Sequence, residues 1–189
     1  MLGEFERRMG WLPQPIIANT SAISSMLNRF EIDIAILEGP ATEHNIISEP
    51  WMEDEMVVIA AKNHPLVNGE AVSYTQLSQE RWILRELGSS SRTFFDNHLA
   101  LELGKTEVVL SLNTFDTILA CVYNNLGITF ISSRMLEQPG YTENFAQVYI
   151  EQRFFRKLTL CYHRSKFLSP TLINWIAFSH AWAKTRSSY

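Results

Sequence analysis

The sequence of 189 residues predicts an α/β fold built from repeated strand–helix–strand units. Three observations predict it. Short apolar runs, such as Ile32 to Leu37 and Ile128 to Ile131, read as strands, the first of them suited to cover on both faces. Between them lie segments whose apolar residues recur at spacings of three and four, the mark of one helical face. Cap-type residues and glycines punctuate the boundaries. With 46% hydrophobic and 19% charged residues, the chain has enough apolar side chains for one compact domain or two small lobes.

The elements are predicted in this order. Leu2, Phe5 and Met9 mark a helix that Gly10 can end. Pro15 to Ala18 is a short strand. Asn19, Thr20 and Ser21 are cap residues for a second helix carrying Ile23, Met26, Leu27 and Phe30. Ile32 to Leu37 is a strand, broken by Glu38-Gly39-Pro40. Glu55 to Ala61 is the next strand, followed by a turn at Asn63-His64-Pro65. Ser73 and Gln76 fit a capping box. Trp82 to Leu84 is a strand, and Gly88 to Ser91 leads into a helix with Phe94, Phe95, His98 and Leu99 on one face, stopped by Gly104.

Val108 to Leu110 is a strand and Asn113-Thr114 a cap. Ile118, Leu119, Val122 and Tyr123 form the next helical face, ended by Gly127. Gln138-Pro139-Gly140 is a turn. Ala146 to Ile150 and Leu158 to Tyr162 are strands. Ser169-Pro170 opens a last helix to about Thr185, whose apolar residues on several faces predict packing on more than one side. Repeated units of this kind imply parallel sheets. No flexible linker cuts the chain, so two lobes would have to be joined by strands.

Composition excludes several classes. A formal net charge of -4 suits nucleic-acid binding poorly, since phosphates need clustered Lys and Arg. No apolar stretch approaches the ~20 residues that span a bilayer, and Met1 to Arg8 holds no signal-peptide core, so no membrane contact and a cytoplasmic location are expected. Cys121 and Cys161 read as buried free thiols, with a redox switch as the alternative. Phosphate-loop, zinc-protease, nucleophile-elbow and dinucleotide motifs are absent. The five histidines are scattered. Glu53-Asp54-Glu55 reads as a solvated turn rather than an acid/base pair. No enzyme, cofactor or metal site is therefore expected.

Asp33-Ile34-Ala35-Ile36-Leu37-Glu38-Gly39-Pro40 resembles the signature of LysR-type effector-binding domains. Glu49-Pro50-Trp51, Glu53 to Ile59, His64-Pro65-Leu66, Leu84 to Arg92, Gly127-Ile128 and Leu168-Ser169-Pro170 continue the resemblance in order over essentially the whole chain. The resemblance implies a fold like type II periplasmic binding proteins, with two α/β lobes joined by two crossover strands. Lobe one would be 1–57 and 164–189, and lobe two 58–163. It implies mainly parallel sheets flanked by helices. It also implies that the first strand of lobe one and the winged helix-turn-helix that precede Met1 in the family are absent from this sequence.

By the same resemblance the function would be small-molecule sensing for a transcriptional regulator. Ligand bound between the lobes would modulate DNA binding by the N-terminal region. The partners would be a small effector, an anion being favoured by the helix starts, and a second copy of the chain, giving a tetramer at full length. The helix from Leu2 to Met9, Ile16 and Ile17, and the helix from Ser90 to Leu103 would supply dimer contacts. The alternatives are a solute-binding protein of a transport system and an enzyme on the same fold.

In open α/β sheets, ligands sit beyond the carboxyl ends of strands. Those ends give the candidates Asn19, Thr20 and Ser21; Gly39; Leu87, Gly88 and Ser89; Asn113, Thr114 and Phe115; and Ser132. Several open helices, whose free N–H groups favour an anion. The competing role for the hydroxyl residues is helix capping alone. Arg85 and Arg92 can meet an anion or, as favoured, a nearby acid in a structural ion pair.

Overall fold

A computed structural model describes residues 1–39, 41, 43–138 and 140–186. The chain runs α1 (Leu2–Met9), α2 (Thr20–Asn28), β1 (Ala35–Glu38), β2 (Ile46–Ala61), α3 (Tyr74–Leu77), β3 (Arg81–Arg85), α4 (Ser90–Asn97) and α5 (Leu99–Leu103). It continues with β4 (Glu107–Leu112), α6 (Phe115–Tyr123), β5 (Thr129–Ser132), a 3-10 turn (Ser133–Met135), α7 (Tyr141–Asn144), β6 (Phe145–Gln147), β7 (Phe154–His163) and α8 (Pro170–Lys184). Two compact units result. Unit 1 takes Met1–Glu53 and the chain from Lys157 onward; unit 2 is Asp54–Arg156. The divisions at 57/58 and 163/164 expected from the sequence fall later, within β2 and at the end of β7.

Unit 2 is a sheet covered on both faces, which explains its continuous apolar strands. On β2, Met56, Val58 and Ala60 join one cluster with Trp82, Leu84, Ile128 and Phe130. The alternate residues Val57 and Ile59 join a second cluster with Ile83 and Ile131. Phe95, Leu99 and Leu103 from α4 and α5 cover the first face. Ile118, Leu119 and Val122 from α6 cover the second. Burying each such side chain contributes about 1.5–3 kcal/mol.

The expectation of mainly parallel sheets is corrected here. β3 and β4 are parallel, with Arg81 opposite Glu107 and Arg85 opposite Leu112, and Trp82 bridges Ile128 in parallel. β2, however, pairs antiparallel with β5 and β6. Helical crossovers (α4–α5 after β3, α6 after β4) produce the parallel neighbours. The predicted helix from Ser90 to Leu103 breaks at His98, whose backbone leaves helical geometry at φ -125° and ψ -73°. Its ring stacks on Phe94 at 4.0 Å between centroids.

In unit 1, β1 pairs antiparallel with β7, Ala35 opposite Cys161 and Glu38 opposite Leu158. Ile23 and Leu27 of α2 pack on Leu37, Ile46 and Cys161. Phe5 joins α1 to α8 through edge-on contacts with Trp175 and Phe178, at 4.7 and 5.1 Å. The buried residues of α8 (Trp175, Phe178, Ser179 and Ala183) form one stripe, so packing on several sides is not what unit 1 shows. β2 begins at Ile46, well before the predicted Glu55, and continues through the exposed Pro50.

The predicted strand at Pro15 to Ala18 is not formed. Residues 11–19 carry no regular structure, and Ile17 is 97% exposed. Residue type favours a strand there, but among the described residues no neighbouring strand pairs with it, so there is no ladder to join. Pro40 and Pro139, placed in predicted turns, lie outside the described residues. Among the described residues no helix is long and apolar enough to cross a membrane.

Gly127 has a different role from the helix stop predicted for it. α6 ends at Asn124, and Asn125 takes the left-handed turn at φ 54°. A Cβ on Gly127 would lie 2.4 Å from the Arg81 carbonyl oxygen and 3.3 Å from Ile83 Cγ1. That same carbonyl accepts the Ile128 N–H at 2.8 Å. Gly127→Ala must therefore push β5 off β3. Thermal or denaturant unfolding should show a loss of about 1–3 kcal/mol, the usual cost of overpacking. An unchanged midpoint would contradict the close approach.

Candidate functional site

Three strand ends lie along one edge of unit 2. Because β4, β3 and β5 are parallel neighbours, their carboxyl ends bring together Leu87-Gly88-Ser89, Asn113-Thr114-Phe115 and Ser132. The Glu86 N–H donates to the Leu112 carbonyl at 3.1 Å, which ties the first two segments directly. Gly88 sits at φ 87°, a left-handed turn that glycine adopts without strain. Leu87 is 75% exposed, whereas Ser89, at the N-cap of α4, is buried.

The hydroxyl residues divide between capping and other work. Thr114 caps α6, its Oγ1 accepting from the Thr117 N–H at 3.4 Å. Asn19 caps α2, accepting from the Ala22 N–H at 2.9 Å. Ser89 makes no side-chain cap bond; its carbonyl accepts from the Thr93 N–H at 3.0 Å. Phe115 carries the Arg85 guanidinium over its ring at 4.6 Å, and Arg85 also pairs with Glu86 at 2.8 Å. Arg92 pairs with Asp96 at 3.0 Å. Both arginines thus take the structural ion pairs favoured from sequence.

In unit 1, Thr20 is buried at the start of α2 and Ser21 beside it is exposed. Gly39 follows β1 at φ 102°, and its carbonyl accepts the Thr159 hydroxyl. Asn19, Thr20, Ser21 and Gly39 therefore belong to a different unit from the other seven candidates.

A buried polar cluster escaped the sequence reading. Glu53-Asp54-Glu55 is not a solvated turn, because all three residues lie within β2 and Asp54 is only 2% exposed. Asp54 Oδ2 accepts from Arg156 Nε at 2.8 Å, and Oδ1 accepts the Ser132 hydroxyl at 2.6 Å. Arg134 Nε stands 3.5 Å from Oδ1, within ion-pair range. Arg156 Nη1 donates to the Ser91 hydroxyl at 3.0 Å, on the first turn of α4. The signal for it was alternation: Met52, Asp54 and Met56 share the buried phase of β2, as Phe154 and Arg156 share that of β7. Glu55 takes the other phase, where two hydrogen bonds from Arg153 at 2.8 Å hold its carboxyl below the usual range.

Unit 1 has its own polar anchor. The Tyr162 hydroxyl donates to Glu49 Oε1 at 2.6 Å, and His180 Nε2 lies 3.3 Å from Oε2. This links β2, β7 and α8. Among the described residues no group of three or more His, Cys, Asp or Glu is placed to hold a metal ion. Cys161 is buried, with the Ser48 and Thr159 hydroxyls each 3.3 Å from its sulfur, while Cys121 is half-buried.

The hydrogen bond to Glu49, aided by burial, pushes the Tyr162 phenol up to about 12. A raised folded-state pKa means that this contact stabilises fully below the ordinary value of 10.0 and loses its contribution as pH rises towards 12. Glu49→Gln should bring Tyr162 back towards the ordinary range in an ultraviolet phenolate titration, with Tyr162→Phe identifying the signal. A titration unchanged by Glu49→Gln would contradict the pairing.

Residues 6–184 match the family described as the LysR substrate binding domain. The Escherichia coli K12 protein named as the uncharacterized HTH-type transcriptional regulator YeiE is 37% identical over 157 residues, covering 82% of this chain and 53% of that protein. The chain spans about half the length of the curated relatives it matches. The regulatory domain of CcmR from Synechocystis PCC6803, solved in complex with 2-PG, superposes with a TM-score of 0.88 at 24% identity, covering 97% of this chain and 89% of that one. The effector binding domain of QuiR in complex with shikimate gives 0.77 at 20% identity, over 88% and 79% of the two chains. These likenesses agree with the periplasmic-binding-protein-like α/β fold, and the match over residues 6–184 shows that the chain belongs to the LysR substrate binding domain family.

Proposed function

We propose that this chain is the effector-binding domain of a LysR-type transcriptional regulator and that its ligand is a small anion. The observation that carries this reading is the shared edge of β4, β3 and β5. There Gly88-Ser89 and Thr114-Phe115 stand at helix starts beside Ser132. Helix starts offer free N–H groups and partial positive charge to an anion. Leu87 and Asn113 complete the proposed contact set of unit 2; Asn19, Thr20, Ser21 and Gly39 are the proposed contacts of unit 1. The complexes of CcmR with 2-PG and QuiR with shikimate support a small-molecule ligand here too.

The proposed role is regulatory and non-catalytic, in the cytoplasm. Ligand would bind two conformations with different affinity and so bias DNA binding by a separate N-terminal region. Assembly with a second copy, as a dimer and as a tetramer at full length, belongs to the same reading.

A thermal-shift screen of this protein against small organic anions, with 2-PG and shikimate among the probes, tests the proposal. A ligand at a hundredfold excess over its Kd should add about 2.7 kcal/mol, raising Tm by about 5–10 °C. Thr114→Val should reduce that rise while leaving the ligand-free stability within about 1 kcal/mol of wild type, the size of a cap contribution. A rise that this variant leaves intact would place the ligand elsewhere. No response to any anion would count against the sensing role.

A further inference from the structure

We infer that Asp54 is a positioning residue for the candidate ligand groups of unit 2, acting through Ser132 and, by way of Arg156 and Ser91, through the start of α4. The inference rests on reading those segments as ligand-contacting. A carboxylate only 2% exposed is costly to desolvate unless its oxygens are occupied. Here Arg156 occupies Oδ2 at 2.8 Å, and Ser132 occupies Oδ1 at 2.6 Å. Ser132 in turn accepts the Arg134 N–H at 3.3 Å, so the carboxylate fixes a hydroxyl that shapes the turn after β5.

The second arm reaches α4. Arg156 is nearly buried, and its fork bonds Asp54 through Nε and Ser91 through Nη1 at 3.0 Å. Ser91 is itself 2% exposed and sits two residues after Ser89, whose carbonyl closes the first turn on the Thr93 N–H. One carboxylate therefore sets the position of two of the three strand-end segments. It does so from β2, with Arg156 on β7, and these are the first and last residues of unit 2. A side chain needed only for stability could be replaced by an apolar pair of similar volume with little loss. One needed for position could not, because Ser132 and Ser91 would lose the groups that hold them.

That difference defines the test. The double variant Asp54→Leu with Arg156→Met is compared with wild type by amide hydrogen exchange without ligand. If Asp54 positions these segments, the Thr93 and Arg134 amides exchange about tenfold faster or more, while the β2–β5 amides from Val57 to Ile59 keep their protection. Ser91→Ala alone, which leaves the ion pair in place, should speed Thr93 but not Arg134. It also serves if the double variant does not fold. Unchanged exchange at Thr93 in a folded double variant, or in Ser91→Ala, overturns the inference.

A titration with inorganic phosphate then separates this inference from the reading beneath it. Weaker phosphate binding by the variant, by about fivefold or more, connects the positioning to the ligand; equal affinity breaks that connection. No phosphate response in the wild-type protein counts against the anion reading, while the exchange result still decides the role of Asp54.

Discussion

The buried Asp54–Arg156 pair is the constraint on which unit 2 depends. Taking a carboxylate and a guanidinium out of water costs several kcal/mol per ion, and mutual attraction alone offsets it incompletely. The remaining compensation comes from hydrogen bonds to Ser132 and Ser91. Those bonds tie the strand that enters the unit, the strand that leaves it, the end of β5 and the start of α4. An apolar contact at this place would be as stable but indifferent to orientation. The polar cluster accepts one arrangement of its donors, because each donor left unpaired there would cost about 1–3 kcal/mol.

Around this point the sheet supplies a rigid support. Alternate residues of β2 feed two separate cores, one under α4 and α5 and one under α6. The close approach of Gly127 to the Arg81 carbonyl sets β5 against β3. With both faces of β2 filled, the candidate polar groups stand at the ends of β3, β4 and β5, where the helix starts lie. Unit 1 has a smaller version of the same arrangement. Phe5, Trp175 and Phe178 join α1 to α8, while Glu49 gathers Tyr162 and His180 from two elements.

Most elements were legible because local chemistry and tertiary structure agree. Gly10 ends α1 in the left-handed conformation, Ser73 and Gln76 form a capping box, and Ser169 caps α8 with Pro170 at its first position. The failures share a cause: the deciding partner is remote in sequence. Pro15 to Ala18 has strand-type residues but, among the described residues, no strand to pair with. Asp54 looked solvated because its sequence neighbours Glu53 and Glu55 are acidic, yet its partner lies 102 positions away. Gly127 resembled a helix stop, whereas its need for a missing side chain comes from Arg81. The candidate site was legible as strand ends. Its support was not, since Ser91 and Arg156 are ordinary residues until the fold brings them to Asp54.

The central claim is that a small anion is held at the strand ends and helix starts rather than on the outer helical faces. Amide chemical-shift mapping with whichever anion stabilises the fold addresses it most directly. The perturbed amides are predicted to cluster at Gly88, Ser89, Thr114, Phe115 and Ser132. Perturbations centred on α1 and α8, with these positions silent, would contradict it.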